Sequence, residues 1–209
     1  MKAAVKGLYA VTPDIADTSE LLARVEAALS GGASLLQYRN KTAGAALRLV
    51  QARALLALCR EYHVPLIIND HLELALALDA NGLHLGGEDG SVAGARERLG
   101  PGKILGISCY DRLDNALSAA RAGVSYVAFG SFFPSSLKPG AVRAPLELLR
   151  KAKHELKLPV VAIGGITLDN APQLVAAGAD SVAVISALFE APDVKLAARR
   201  FSALFQQRS

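Results

Sequence analysis

The architecture of this chain is most readily seen in the stretch Ala28-Leu-Ser-Gly-Gly-Ala-Ser-Leu-Leu-Gln-Tyr-Arg-Asn-Lys41. An alanine- and leucine-rich helical pattern passes through two glycines into a short apolar run, which ends in polar and charged residues. Glycine suits the left-handed cap at the end of a helix, and a short apolar run suits a parallel strand that is covered on both faces. The stretch therefore predicts a helix, a tight turn and a buried strand with a polar end.

The same order of helix end, glycine and strand recurs along the chain, for example at Ala120-Arg-Ala-Gly-Val-Ser125 and Ala176-Ala-Gly-Ala-Asp-Ser181. Strands are predicted at 7–12, 34–39, 65–69, 82–85, 104–108, 126–130, 160–164 and 181–185. Eight strand–helix units in 209 residues average about 26 residues each, close to the minimum for a (β/α)8 barrel. We predict an α/β fold, a single (β/α)8 TIM barrel domain over 1–209. A doubly wound open sheet, the alternative, would rarely need eight strands of one sense.

Composition narrows the classes of function. The chain has 23 Lys and Arg against 19 Asp and Glu, a net charge of +4, which favours anionic partners. Its main basic cluster, at 150–153, has no interleaved aromatic residues and is interpreted as a solvated helix face, so no nucleic acid partner is expected. Two cysteines exclude a disulfide scaffold. Because the sequence has no signal-peptide or membrane-spanning pattern, we expect a soluble cytoplasmic protein with no membrane partner. A homo-oligomer is one possible assembly, and the sequence does not decide the oligomeric state.

Polar side chains at the carboxyl ends of barrel strands are the first candidates for function, because active sites of such barrels form there. Alternation along the second strand places Gln37, Arg39 and Lys41 on one side, which is the interior if Leu35 and Tyr38 face the helices. An arginine in that position needs an anionic partner. The alternative is a strand end that frays into solvent.

Carboxylates follow the next two strands. Asp70 ends the third strand and Asp89 follows the fourth, close to the cationic residues of the second. Mg²⁺ prefers one or two protein carboxylates together with water and substrate phosphate oxygens. These residues thus suggest a diphosphate held by Mg²⁺ and basic side chains. Alternatively, Asp70 caps a helix and Asp89 belongs to a turn.

A second anion site is expected after the seventh and eighth strands, where phosphate sites of these barrels are commonly built. Gly164-Gly165 allows a close approach of the main chain to an anion, although a simple tight turn is the alternative. The eighth strand ends at Val184-Ile185-Ser186. The loop after the sixth strand carries Ser135 and Lys138, and it could close over a phosphorylated ligand.

Taken in order, the motifs of all eight units resemble the thiamine-phosphate synthase family. They are Leu8-Tyr-Ala-Val-Thr12, Gln37-Tyr-Arg-Asn-Lys41, Ile68-Asn-Asp70, Gly82-Leu-His-Leu-Gly86, Gly106-Ile-Ser108, Pro134-Ser-Ser-Leu-Lys138, Ala162-Ile-Gly-Gly-Ile166 and Val184-Ile-Ser186. The resemblance implies Mg²⁺-dependent joining of 4-amino-2-methyl-5-hydroxymethylpyrimidine diphosphate to a thiazole phosphate. Diphosphate leaves first, and the thiazole nitrogen then captures a pyrimidine methylene cation.

The resemblance also implies a role for each candidate residue. It implies that Arg39, Lys41 and Lys138 stabilise the developing charge in catalysis, and that Asp70 and Asp89 bind the metal. Contacts to the two substrates fall to Gln37, Asn69, Ser108, Ser135, Gly164, Gly165, Ile185 and Ser186. No nucleophilic side chain is required, so Cys109 is interpreted as a packing thiol.

Three positions depart from the family pattern: Gly87 replaces a glutamine, Tyr110 a histidine and Leu137 a threonine. These departures bear on substrate contacts and leave the cations and carboxylates intact. Two other functions are considered. A thiazole tautomerase-like relative would share the barrel without needing a metal, and a non-catalytic barrel would only bind a phosphate ligand.

Overall fold

The computed structural model describes residues 5–86, 91–134 and 142–206. Eight parallel strands pair in sequence order, and β1 pairs with both β2 and β8, so the sheet is a closed barrel. The strands are β1 Gly7–Val11, β2 Leu35–Tyr38, β3 Leu66–Asn69, β4 Gly82–Leu85, β5 Ile104–Tyr110, β6 Tyr126–Phe129, β7 Val160–Ile163 and β8 Ser181–Val184.

Helices alternate with these strands. They are α1 Thr18–Ser30, α2 Ala45–Glu61, α3 Leu72–Ala77, α4 Val92–Leu99, α5 Leu113–Arg121, α6 Leu146–Glu155, α7 Ala171–Ala176, α8 Ser186–Phe189 and α9 Val194–Ala203. The predicted (β/α)8 TIM barrel is therefore confirmed. In the described parts of the chain, no helix is both long and apolar enough to span a membrane.

Several helices begin where a side chain can satisfy a free amide of the first turn. Asp17 accepts a hydrogen bond from the amide of Glu20 at 2.7 Å, and Asp193 accepts one from Leu196 at 2.8 Å. Ser91 does the same for Gly94 at 3.2 Å, at the start of α4. These caps fix the points at which α1, α9 and α4 leave the preceding loops.

Alternation along each strand divides the core into two layers. On β1, Leu8 and Ala10 belong to the large cluster beneath the helices, whereas Tyr9 and Val11 belong to the cluster inside the barrel. Gln37 was predicted in the interior on the condition that Leu35 and Tyr38 face the helices; the condition holds for Tyr38 and fails for Leu35, which lies inside the barrel. Leu35 lies on the same side as Gln37. It is two residues from Gln37 on one strand, and alternation must place both on the same side.

The predicted strand ends agree with the structure to within one residue, except at β5. That strand continues to Tyr110, through an irregularity in its pairing with β6 between Ser108 and Tyr110. The backbone at Tyr110 has a φ of 53°, and its side chain is 44% exposed. The departure from the family pattern at this position thus lies at the solvent-facing end of a strand.

Candidate active site

Because all strands are parallel, their carboxyl ends form one rim of the barrel. A cavity of about 230 Å³ lies at the rim near the ends of β2 and β3. It is lined by Tyr38, Asn40, Lys41, Arg48, Asn69, Asp70 and His71. The structure thus brings Lys41, Asn69 and Asp70 together, as the sequence analysis predicts for a diphosphate site.

Arg39 lies at the same rim but is engaged by a carboxylate. Its Nη1 is 3.3 Å from Asp14 Oδ1, and this oxygen also accepts a hydrogen bond from the amide of Lys41 at 3.0 Å. Thr12 holds the Arg39 backbone on both sides, with hydrogen bonds of 2.9 and 2.7 Å. Arg39 is absent from the cavity lining that can be described. Of the two cations predicted after β2, only Lys41 contributes to that lining.

The segment that carries these cations is anchored from below by Asn40 and Gln51. The buried Asn40 side chain donates to the Ile15 carbonyl at 3.0 Å and accepts from the amide of Ala43 at 3.0 Å. Gln51, fully buried on α2, accepts hydrogen bonds from Asn40 at 3.1 Å and from Tyr38 at 2.8 Å. These bonds hold the turn between β2 and α2 in one conformation, so that Lys41 is presented at the rim.

Arg48 is a cation of the cavity that the sequence analysis missed. One guanidinium nitrogen donates to the Ala43 carbonyl at 2.6 Å. Its Nε is buried and has no hydrogen-bond partner in residues 5–86, 91–134 or 142–206. Burial and the Arg48 charge lower the pKa of His71, although Asp70 opposes the shift. Burial also raises the pKa of Tyr38 to about 12, so these two neighbours of Arg48 are uncharged at neutral pH.

Asp70 is held at the end of β3 in a constrained conformation. Its φ is 60°, in the left-handed region that few residues other than glycine, asparagine and aspartate adopt. The carboxylate accepts hydrogen bonds from Asn69 Nδ2 at 2.6 Å and from the amide of Gly86 at 3.3 Å. Because Gly86 follows β4, this bond ties the ends of β3 and β4 together.

The oxygen donors at this place fit a magnesium ion. Asp70 offers a hard carboxylate beside a cavity, and Mg²⁺ needs only one or two protein carboxylates with water or phosphate oxygens. Among the residues described, no group of three or more His, Cys, Asp or Glu residues could hold a metal alone. A site completed by water and substrate oxygens needs no larger group of protein ligands.

Inside the barrel, five polar side chains form a continuous row of hydrogen bonds. Gln37 Nε2 donates to the Tyr9 hydroxyl at 2.9 Å, and this hydroxyl is 2.8 Å from that of Tyr126. The Tyr126 hydroxyl is 2.8 Å from His84 Nδ1, and His84 Nε2 is 2.9 Å from Ser108 Oγ. Two of the predicted substrate contacts, Gln37 and Ser108, are thus the ends of one hydrogen-bonded row.

Both tyrosines of this network remain protonated because burial raises the pKa of Tyr9 and of Tyr126 above the ordinary value. Their rings meet edge to face at 5.9 Å, and the Tyr126 ring stacks on His84 at 5.6 Å. No role was predicted from the sequence for His84, Tyr9 or Tyr126. Alternation was the available signal, because Leu83 and Leu85 belong to the outer core and therefore turn His84 inward.

A second cavity, of about 200 Å³, lies at the ends of β7 and β8. It is lined by Pro134, Ile163, Gly164, Gly165, Ile166, Thr167, Ala183, Val184, Ile185, Ser186 and Ala187. The structure brings together all four residues predicted for the phosphate site: Gly164, Gly165, Ile185 and Ser186.

Glycine is required on the β7 side of this cavity. Gly164 has a φ of 101° and Gly165 a φ of 64°. A Cβ atom on Gly164 would lie 2.2 Å from Ser131 Oγ, and one on Gly165 would lie 2.3 Å from the Pro134 carbonyl oxygen. The loop after β6 therefore packs against the turn after β7, and only glycine fits between them.

Three predicted residues, Asp89, Ser135 and Lys138, lie outside the described residues. Their roles stay predictions. Cys109 is fully buried, and burial raises the pKa of its thiol to about 12. A nucleophilic thiolate is therefore scarce at neutral pH, which supports the interpretation as a packing residue.

Comparison with known proteins gives a consistent result. Residues 8–188 match the family model described as thiamine monophosphate synthase. The thiamine-phosphate synthase of Aromatoleum aromaticum is 57% identical over 201 residues, covering 96% of this chain and 97% of the relative. That of Nitrosomonas eutropha is 55% identical, with coverages of 96% and 95%.

Among solved structures, the thiamine phosphate pyrophosphorylase from Pyrococcus furiosus superposes with a TM-score of 0.85 at 36% identity. The match covers 99% of this chain and 98% of that one. With a family model over most of the chain and relatives above half identity over nearly full length, the chain belongs to the thiamine monophosphate synthase family.

Proposed function

We propose that this chain is a thiamine-phosphate synthase that joins 4-amino-2-methyl-5-hydroxymethylpyrimidine diphosphate to a thiazole phosphate and releases diphosphate. The observation that carries the proposal is the pair of cavities on one rim. One has cations and a carboxylate at the ends of β2 and β3, and the other has glycines at the ends of β7 and β8. Such an enzyme is a transferase of thiamine biosynthesis, and its partners are these two small molecules.

The chemical demand on the first cavity is to stabilise the charge of the departing diphosphate. Lys41 and Arg48 line that cavity, and Arg39 stands beside it. Lys138 would add a fourth cation from the loop after β6. Cations that are already positioned at the rim stabilise the leaving group where its charge develops.

Asp70 would hold a Mg²⁺ ion together with Asp89, which follows Gly86 by three residues. When bound, this ion neutralises charge on the diphosphate oxygens. Asn69 fixes one carboxylate oxygen of Asp70 by its 2.6 Å hydrogen bond, and the Gly86 amide fixes the other. These contacts orient the carboxylate before a ligand arrives.

The second cavity would hold the thiazole phosphate through backbone amides at Gly164, Gly165, Ile185 and Ser186, aided by the Ser186 and Ser135 hydroxyls. Gln37 and Ser108 would contact the pyrimidine, because they are the two ends of the row of hydrogen bonds inside the barrel. The thiazole nitrogen would then attack the pyrimidine methylene cation without a nucleophile from the protein.

Two free, buried cysteines suit a reducing compartment, and we place the enzyme in the cytoplasm.

The deciding experiment supplies both substrates with Mg²⁺ and follows diphosphate release together with thiamine phosphate formation. We expect stoichiometric release of both products. Arg39→Ala and Asp70→Ala should each lower kcat/KM by roughly 100-fold or more while thermal unfolding stays nearly unchanged. Arg98→Ala is the matched control, because Arg98 forms an exposed ion pair with Glu73 on the helix layer and should retain activity.

Two results would replace this function. Binding of thiazole phosphate without product formation in the presence of Mg²⁺ would identify a non-catalytic phosphate-binding barrel. Isomerisation of a thiazole substrate without metal and without diphosphate release would identify a tautomerase-like enzyme.

A further inference from the structure

The row of hydrogen bonds inside the barrel has a direction. The Gln37 amide donates to the Tyr9 hydroxyl, so the Tyr9 proton is left for its other neighbour, the Tyr126 hydroxyl. Tyr126 then has one proton to give, and His84 Nδ1 stands 2.8 Å from its oxygen. Each hydroxyl has a single proton to donate. The donor at Gln37 therefore determines which group donates and which accepts in every later hydrogen bond of the row.

The opposite arrangement of the tyrosines is unfavourable. If Tyr126 donated to Tyr9, the Tyr9 oxygen would accept two hydrogen bonds, and its own proton would have no acceptor among the described residues. Tyr9 is 1% exposed and Tyr126 fully buried, so water does not compensate. A buried hydroxyl proton without an acceptor is costly.

We propose that Tyr126 is a positioning residue that fixes the Nε2–H tautomer of His84 and thereby makes the Ser108 hydroxyl a hydrogen-bond donor toward the ligand. Tyr126 donates to Nδ1, so the ring proton is on Nε2, which donates to Ser108 Oγ 2.9 Å away. The half-buried Ser108 accepts this bond and keeps its own proton for an acceptor at the rim. This inference rests on the proposed function for the identity of that ligand.

The barrel is shaped to hold Tyr126 in this place. A Cβ atom on Gly106 would lie 2.0 Å from Tyr126 Cζ and 2.4 Å from its hydroxyl oxygen, so the ring occupies the space that a side chain on β5 would fill. The ring also stacks on His84 with an interplanar angle of 19°. The packing thus fixes the Tyr126 hydroxyl between Tyr9 and His84.

If the Ser108 hydroxyl donates a hydrogen bond to the ligand, the ligand atom that it contacts must be an acceptor. An unprotonated ring nitrogen of a heteroaromatic substrate or a phosphate oxygen meets this requirement, whereas an exocyclic amino group does not. If the hydrogen bonds of the row had the opposite direction, Ser108 would donate its hydroxyl proton to His84 and would present only lone pairs to the ligand. The two senses therefore predict different tautomers of His84.

The tautomer is measured directly by ¹⁵N NMR on ligand-free protein with ¹⁵N-labelled histidine. The chain has four histidines, and the His84 signals are assigned by their loss in His84→Gln. We expect the Nδ1 of His84 at the downfield position of an unprotonated nitrogen and Nε2 at that of a protonated one. Tyr126→Phe removes the donor and should give signals that are averaged or interchanged. An Nδ1–H tautomer or a doubly protonated ring in the wild-type protein would overturn the proposal, whether or not the enzyme is active.

Kinetics then test whether Tyr126 acts through Ser108. Tyr126→Phe should lower kcat/KM by about tenfold, the loss expected for one hydrogen bond of ordinary strength. In a Ser108→Ala background the same substitution should change kcat/KM by less than about twofold, since the donor it directs is absent. Equal effects in both backgrounds would refute the coupling.

The control variant is Tyr62→Phe, which removes a tyrosine hydroxyl bonded to Glu26 at the opposite end of the barrel. It should leave both the His84 signals and the activity unchanged. Thermal unfolding of each variant separates loss of the fold from loss of the hydrogen-bonded row. An unchanged His84 tautomer in a folded Tyr126→Phe protein would also contradict the proposal.

Discussion

Replacing Gly106 by alanine tests whether the interior of the barrel is as tightly filled as the structure shows. The added Cβ would lie 2.0 Å from Tyr126 Cζ and 2.4 Å from Cε1. Carbon atoms pack at about 3.5–4.0 Å, so the ring must move by roughly 1.5–2 Å. Such a shift breaks the hydrogen bonds of Tyr126 to Tyr9 and to His84.

The expected loss is large for a single methyl group. Overpacking of a core costs about 1–3 kcal/mol, and each buried hydrogen bond contributes about 1 kcal/mol. Gly106→Ala should therefore lower the free energy of unfolding by about 3–5 kcal/mol. For a chain of this size the Tm should fall by roughly 6–20 °C. Urea unfolding and a thermal melt, followed by circular dichroism, measure both quantities.

Gly102→Ala is the matched control, because a Cβ there meets no atom within 4 Å and the backbone is not left-handed. It should change the free energy of unfolding by less than about 0.5 kcal/mol. In a Tyr126→Ala background the obstacle is absent, so Gly106→Ala should cost much less than in the wild-type protein. Equal costs in the two backgrounds, or a near-neutral Gly106→Ala, would refute the packing argument.

Three further outcomes are expected. Gly94→Ala, inside α4 and with no atom closer than 3.6 Å to the new Cβ, should raise the free energy of unfolding by about 0.5–1 kcal/mol in urea titrations. Gln51→Leu should lower it by about 2–4 kcal/mol and raise KM for the diphosphate substrate, because Asn40 loses its partner and the adjoining rim segment loosens. Cys59 and Cys109, whose thiol pKa values burial raises to about 12, should resist iodoacetamide at pH 8 in the folded protein and react fully in urea. Rapid alkylation of the native protein would contradict that burial.

The barrel was predictable because its signals are local. Each strand is a short apolar run, each helix end carries glycine, and the order of units follows the chain. The strand ends agree to within one residue except at β5, whose pairing irregularity beyond Ser108 has no counterpart in the apolar pattern. Part of each cavity lining was predicted for the same reason, because chain position places these residues at the carboxyl ends of strands: Lys41, Asn69 and Asp70 in the first, and Gly164, Gly165, Ile185 and Ser186 in the second.

The rest depends on contacts between distant segments. Tyr9 and Tyr126 are separated by 117 positions, and only closure of the barrel brings their hydroxyls within 2.8 Å. Arg48 lies on α2, where its spacing resembles that of any solvated arginine, and its approach to the cavity follows from the turn at Ala43. The pairing of Arg39 with Asp14 likewise required the loop after β1 to lie beside the end of β2.

The contact between Asp14 and Arg39 bears on how the enzyme discriminates among anions. Asp14 Oδ1 contacts the Arg39 guanidinium and accepts a hydrogen bond from the Lys41 amide. An incoming anion must therefore compete with the Asp14 carboxylate for Arg39. Chloride or acetate would exchange one negative charge for another and gain little. A pyrophosphoryl group brings several charges and spans several donors at once, so it competes with Asp14 better than a monovalent anion does. Asp14 therefore favours a multiply charged anion over a small monovalent one at Arg39.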